Sequence, residues 1–214
     1  MAEVKDKRKY SSVVREEQAA RTRTRILEAA SALFLERGYA RTTMKDIAAQ
    51  ADVARDTVHA IFGSKARVLT SLIDVRLVPD STVANVTQRP DAQAIKDEID
   101  QRKQIELFAK FIAGISTELR PLFEILRTAS AVEPEMAKVF REMDRFRLSN
   151  MRTYARWIAA RGPLRVSNRQ AGEIIWAVAS LDVGRMLCDE LGWTESQHAR
   201  WLSDTLIRTL LPDG

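Results

Sequence analysis

Apolar side chains recur at helical spacing along most of this chain, and no run alternates apolar and polar residues as a half-buried strand would. Ile26, Ala30, Leu33 and Phe34 mark one face of a first helix, expected over about 17–37, and Gly38 stands where a left-handed residue closes a helix. A second helix starts at Thr43, which can cap it; Asp46 three residues on approximates a capping box. Its apolar residues Met44, Ile47, Ala48 and Ala51 follow the i, i+3, i+4, i+7 pattern. A third helix is expected over 54–62 with Val58, Ile61 and Phe62 inward, and Ser64 caps a fourth that ends near Arg76. After Pro79 comes a polar stretch, then long helices at about 92–117, 119–131, 135–161, 168–191 and 195–211. Pro121, Pro134 and Pro163 fall near expected helix starts, where a missing N–H costs little. The pattern predicts an all-α chain.

Helices two and three are separated only by Asp52, Val53 and their flanks, which is helix-turn-helix spacing. Such a turn usually takes a glycine with positive φ, and Asp tolerates that conformation better than most residues. With the apolar faces turned inward, Arg55, Asp56, His59 and Ala60 point outward. In a helix-turn-helix, that face of the second helix enters the DNA major groove. A generic helical hairpin with a solvated face has the same spacing.

Charge sharpens the picture. The 214 residues carry a net charge of +5. Residues 1–76 hold 15 Lys and Arg against 10 Asp and Glu, while 77–214 hold 19 of each, so the whole excess lies in the first third. A polyanion partner for that third explains the asymmetry, as does a basic N-terminal segment kept for solubility. Arg21, Arg23 and Arg25 precede the packed part of helix one, where basic residues can reach a DNA backbone or minor groove. Hydrophobic residues make up 45% of the chain and charged ones 29%, an ordinary globular mixture. No apolar run approaches membrane-span length and no secretory signal is evident. Cys188 is the only cysteine, which excludes an intrachain disulfide and fits a reducing cytoplasm. His59 and His198 are the only histidines, so a histidine triad or multi-histidine metal site is excluded, and no phosphate-cradling glycine loop is present. An enzyme, a cofactor and a metal are not expected.

The segment "ILEAASALFLERGYARTTMKDIAAQADVARDTVHAIFGSKARVL" resembles the DNA-binding region of TetR-family transcriptional regulators. The likeness rests on Phe34 with Gly38-Tyr39, the Thr42-Thr43 step, Asp46-Ile47-Ala48, Ala51 and Val53, Thr57, Phe62, Ser64-Lys65 and Leu69. Outside these roughly 45 residues the chain matches only in length and helical character. The resemblance implies a headpiece at 17–63 after a flexible basic segment at 1–16, a connecting helix at 64–78, and a ligand-binding and dimerisation domain at 79–214. It implies DNA contacts from Thr42, Thr43, Arg55, Asp56, Thr57, His59 and Lys65. Thr43 would offer its hydroxyl and helix amides to a phosphate, His59 stands where the family has a tyrosine on phosphate, and Lys65 is a point charge for the backbone. Asp52, Asp56 and His59 depart from the family pattern. Asp56 suits a capping role better than cytosine readout, because Ala54 replaces a capping serine.

For the remaining two thirds, the resemblance implies a ligand pocket among the middle helices. Phe111, Phe123, Met151, Tyr154, Trp157 and Trp176 are the candidates for it, although Met and aromatic residues at helical spacing equally make plain core. It also implies pairing of the last two helices across a two-fold axis, with Ile175, Val178, Leu181, Trp201, Leu202 and Leu206 as interface candidates and Gly172, Ala179 and Gly184 allowing close approach. The same residues could instead close the monomer core. The expected protein is a cytoplasmic homodimeric repressor of a palindromic operator, released by a small apolar effector. A ligand-independent or DNA-organising protein, and a helical interaction module with a degenerate headpiece, are the competing readings.

Overall fold

The computed structural model describes residues 2–80 and 83–213, with side chains from residue 17 onward. All regular elements among them are helical. The chain divides into two compact units, Met1–Leu72 and Ile73–Gly214.

In the first unit, α1 spans Ala2–Arg41 with one non-helical residue, Gly38, at φ 76° and ψ 169°. The expected helix start near residue 17 is therefore corrected to Ala2; Met1 lies outside the described residues. The reason is local: neither glycine nor proline occurs before Gly38, so nothing in the sequence breaks the helix. Helix α2 (Met44–Gln50) starts at Thr43 with both halves of the capping box in place: Asp46 N–H donates to Thr43 Oγ1 at 3.2 Å and Thr43 N–H to Asp46 Oδ2 at 2.9 Å. The Thr43 hydroxyl and the Thr43 N–H, both donating to Oδ2, hold the Asp46 carboxyl below the usual carboxylate range. Helix α3 (Arg55–Phe62) follows, and α1, α2 and α3 pack around Ile26, Phe34, Ile47, Val58 and Phe62, all nearly or fully buried. Helix α4 (Lys65–Leu77) crosses the division between the units, with Ser64 Oγ accepting from Arg67 N–H at its start.

In the second unit, a 3₁₀ turn at Val86–Gln88 leads into α5 (Pro90–Asp97). Helix α6 (Gln101–Ser130), α7 (Pro134–Ala159), α8 (Asn168–Val178), a short α9 (Leu181–Gly184) continuing as π-helix over Arg185–Glu190, and α10 (Glu195–Leu210) complete it. Helix α6 packs on α10 and α7, and α7 packs on α8. Three sequence expectations are corrected here. The helix expected at 92–117 is split, because Asp100 caps a new helix by accepting from Lys103 N–H. The break expected before 119 is absent, and α6 runs through Pro121. The helix expected at 168–191 is interrupted at Ala179 and Ser180, where Ser180 is extended and caps α9. No helix among the described residues is long and apolar enough to cross a membrane.

The core of this unit takes in Ile175, Leu202 and Leu206, all at 0% exposure. This corrects the expectation that they face a second copy of the chain: they are fully covered within one chain. Gly172 and Gly184 likewise serve packing inside the unit. A Cβ on Gly172 would meet Arg152 of α7, and one on Gly184 would meet Ser116 of α6. Val178, Leu181 and Trp201 are half-buried.

Candidate nucleic-acid interface and ligand cavity

The helix-turn-helix turn has the backbone its sequence implies. Asp52 has φ 51°, the one non-glycine positive φ among the described residues. Asp52 N–H donates to Ala49 O and Val53 N–H to Ala48 O, which closes the turn. Arg25 then fixes it from outside, with Nη2 donating to Ala51 O at 2.8 Å and Asp52 O at 2.9 Å. Arg23 stacks over the Phe62 ring at 4.7 Å and donates to Ser71 Oγ. Two of the three arginines read as an arm thus brace the headpiece; Arg21 is left exposed.

On α3, Arg55 and Asp56 are exposed and Thr57 and His59 half-buried. The N-cap residue Ala54 has no side-chain cap, and Asp56 supplies none, so its capping role is corrected. What remains is a carboxylate in the first turn, favourable to the helix dipole. His59 Nδ1 lies 3.2 Å from Gly63 O. A carbonyl can only accept, so Nδ1 carries the proton, and the neutral ring keeps Nε2 as an acceptor. The one N–H of the neutral ring is therefore taken by Gly63 O.

Two threonines are also committed. Thr42 is fully buried, its hydroxyl donating to Gly38 O at 2.9 Å, so its side chain is no contact surface. Thr43 Oγ1 donates to Asp46 Oδ2 at 2.6 Å while accepting the cap bond, which leaves its exposed α2 end, rather than its hydroxyl proton, for an anion. Lys65 Nζ donates to Tyr39 O at 2.9 Å and sits 4.0 Å from the Tyr39 ring centre, at the first residue of α4.

The second unit contains a cavity of about 350 Å³ between α6 and α7, bounded also by the C-terminal end of α4. Phe111, Phe123, Met151 and Tyr154 line it, as do Phe140, Met143 and Phe146, which the sequence reading did not single out as ligand residues. Trp157 and Trp176 lie outside the lining. Trp157 packs edge-on against Tyr154 at 4.9 Å, and the Trp176 ring lies 4.8 Å under the Arg147 guanidinium. Leu181, expected at an interface, lines the cavity instead, together with Ala179. Asp74, Leu77 and Val86 come from elements distant in sequence, and no local signal marks them. Asn150 carried a legible one, being a polar residue within the apolar stripe of α7. Burial pushes the Tyr154 phenol well above its ordinary pKa, so it stays protonated.

The described residues thus combine a braced helix-turn-helix in one unit with an apolar cavity in the other. Residues 26–72 match the family described as bacterial regulatory proteins, tetR family. The HTH-type transcriptional regulator TtgR of Pseudomonas putida is 45% identical over 58 residues, 27% of this chain and 28% of its own length, so the match spans little more than a quarter of that relative. Two solved structures are alike over nearly the whole chain. SmeT in complex with triclosan is 26% identical, with a TM-score of 0.65 over 90% of this chain and 93% of SmeT. NalD, the secondary repressor of the MexAB-OprM multidrug efflux pump in Pseudomonas aeruginosa, is 21% identical, with a TM-score of 0.67 over 92% and 98%. Residues 26–72 thus carry the region matched by the tetR family of bacterial regulatory proteins, and beyond them the likeness to these solved structures is one of fold.

Proposed function

We propose that the protein is a cytoplasmic homodimeric repressor that binds a palindromic operator and is released from it by a small, largely apolar ligand. The observation that carries the DNA reading is the turn braced by Arg25, which fixes α3. Its Arg55, Asp56 and Thr57 side chains have no partner among the described residues and are available to base edges and phosphates. Two copies related by a two-fold axis present two such helices, and successive major grooves lie about 34 Å apart. Ile174, Val178, Met186, Leu187, Leu191, Trp193 and Trp201, exposed or half-buried along α8, α10 and the segment between them, are among the apolar positions left for a second copy.

The cavity supports the ligand reading. Helix α4 gives Asp74 and Leu77 to its wall and begins at Lys65, beside Tyr39. Close-packed helices move as bodies when a cavity between them fills, so a ligand that displaces the end of α4 also displaces its start. By linkage, a ligand that weakens DNA binding binds more weakly to the DNA complex.

Footprinting of the full chain on DNA upstream of its own gene tests the reading. A palindromic footprint is expected, with affinity falling about a thousandfold between roughly 50 and 200 mM salt as phosphate contacts release counterions. Affinity that stays flat over that range overturns the DNA assignment, and ligand binding that leaves operator affinity unchanged overturns the release mechanism.

A further inference from the structure

The Asp56 carboxylate does not cap α3 and has no partner among the described residues. Its place on the helix gives it another use. Val58 and Phe62 mark the buried side of α3, at 0% and 3% exposure. A helix turns about 100° per residue, so Asp56 and Ala60 each stand roughly 160° from Val58, opposite the buried stripe, while Thr57 and His59 lie on the two flanks. The exposure agrees: Asp56 and Ala60 are exposed, Thr57 and His59 half-buried. A recognition helix laid in the major groove turns the middle of its outward face to the base edges and its flanks to the two phosphate strands.

A carboxylate in that middle position selects by exclusion. It carries the same charge as the phosphates it approaches, and entry into the groove strips it of water. Only a donor on the groove floor offsets both losses. Guanine presents N7 and O6 there and thymine presents O4, all acceptors. Adenine sets the acceptor N7 beside its N6 amine, so a carboxylate is attracted and repelled by the same base. Cytosine alone offers an amine, at N4, with no acceptor on its own edge. Ala60, on the same face, adds neither charge nor bulk, which lets this side of α3 approach the bases closely.

Resting on the operator-binding reading above, we infer that Asp56 is a specificity-determining residue whose carboxylate accepts a hydrogen bond from the N4 amine of one cytosine in each operator half-site. The same charge weakens binding to every sequence without a cytosine at that position, so it acts against wrong sites as much as for the right one. A first-turn carboxylate also favours the helix dipole, a role that changes stability and carries no base preference.

The test is selection of bound DNA from a random-sequence library by the full chain, followed by anisotropy titration of the selected site and its single-base variants at one salt concentration. The wild type is expected to select a palindromic site with one cytosine position per half-site, where any other base weakens binding about tenfold. Asp56→Ala should lose that preference and bind unrelated DNA several-fold more tightly, because a charge that repels phosphate is gone. Asp56→Asn, whose carboxamide pairs with adenine N6 and N7, should move the preference at the same position from cytosine to adenine. Thermal melting of both variants reads the dipole role by itself. A base preference left unchanged in both variants, with or without a shift in melting temperature, or a preference lost at a base other than cytosine, overturns the assignment and leaves the operator-binding reading standing. A library from which the wild type selects no sequence overturns both.

Discussion

A single hydrogen bond at His59 changes what its ring can do for DNA. With Nδ1 donating to Gly63 O, the neutral ring turns a lone pair toward any phosphate at Nε2. A tyrosine at this position donates its hydroxyl instead. His59→Tyr should therefore raise operator affinity several-fold, about the worth of one hydrogen bond, in an anisotropy titration. A variant that binds no more tightly would show that position 59 does not touch the backbone. The same residue-scale logic separates Thr42 from Thr43. Adjacent threonines look equivalent in sequence, but one is fully buried and the other is an exposed helix cap.

At the scale of an element, α6 carries an internal contradiction. Pro121 sits well inside a 30-residue helix and cannot donate to the carbonyl four residues back, that of Thr117. The helix persists because the buried stripe of Leu119 continues in Leu122, Ile125 and Leu126 past the proline, and tertiary burial outweighs the lost bond. The proline itself is exposed, so replacing it disturbs no packing. Pro121→Ala should stabilise the protein by about 1–3 kcal/mol in chemical denaturation, most of the cost of an interior proline. A destabilised variant would mean that the helix depends on the distortion the ring imposes.

Over the whole second unit, stability should depend on pH through His198. The ring is 1% exposed on α10, and neither nitrogen has a partner among the described residues. Burial lowers its pKa below the ordinary imidazole value of 6.5, nearby Arg120 lowers it further, and Glu195 opposes them. The folded state therefore resists a proton that the unfolded state accepts. Stability is fully present above the ordinary imidazole range and is lost as pH falls through it toward the depressed folded value. Melting temperature should fall between about pH 7.5 and about pH 5 by more in the wild type than in His198→Leu. Parallel curves for the two proteins would exclude this ring as the source.

The sequence by itself determined the local features. Gly38 and Asp52 at positive φ, the Thr43–Asp46 capping box and the Ser64 cap all depend on residues within a few positions, so propensity and hydrogen-bond chemistry suffice to read them. It also placed the outward face of α3, because a helix that short has only one way to turn its apolar residues inward. Only the tertiary structure decided which neighbour covers each apolar stripe. Ile175, Leu202 and Leu206 have the spacing of an interface and lie in the core, whereas Leu181 and four of the six ligand candidates line the cavity. A 3.6-residue period says that a face is covered and not by what. The commitments of Arg25, Arg147 and His59 belong to the same class: each is fixed by a carbonyl or carboxylate that only folding brings within reach, or by one helix end meeting its own side chain.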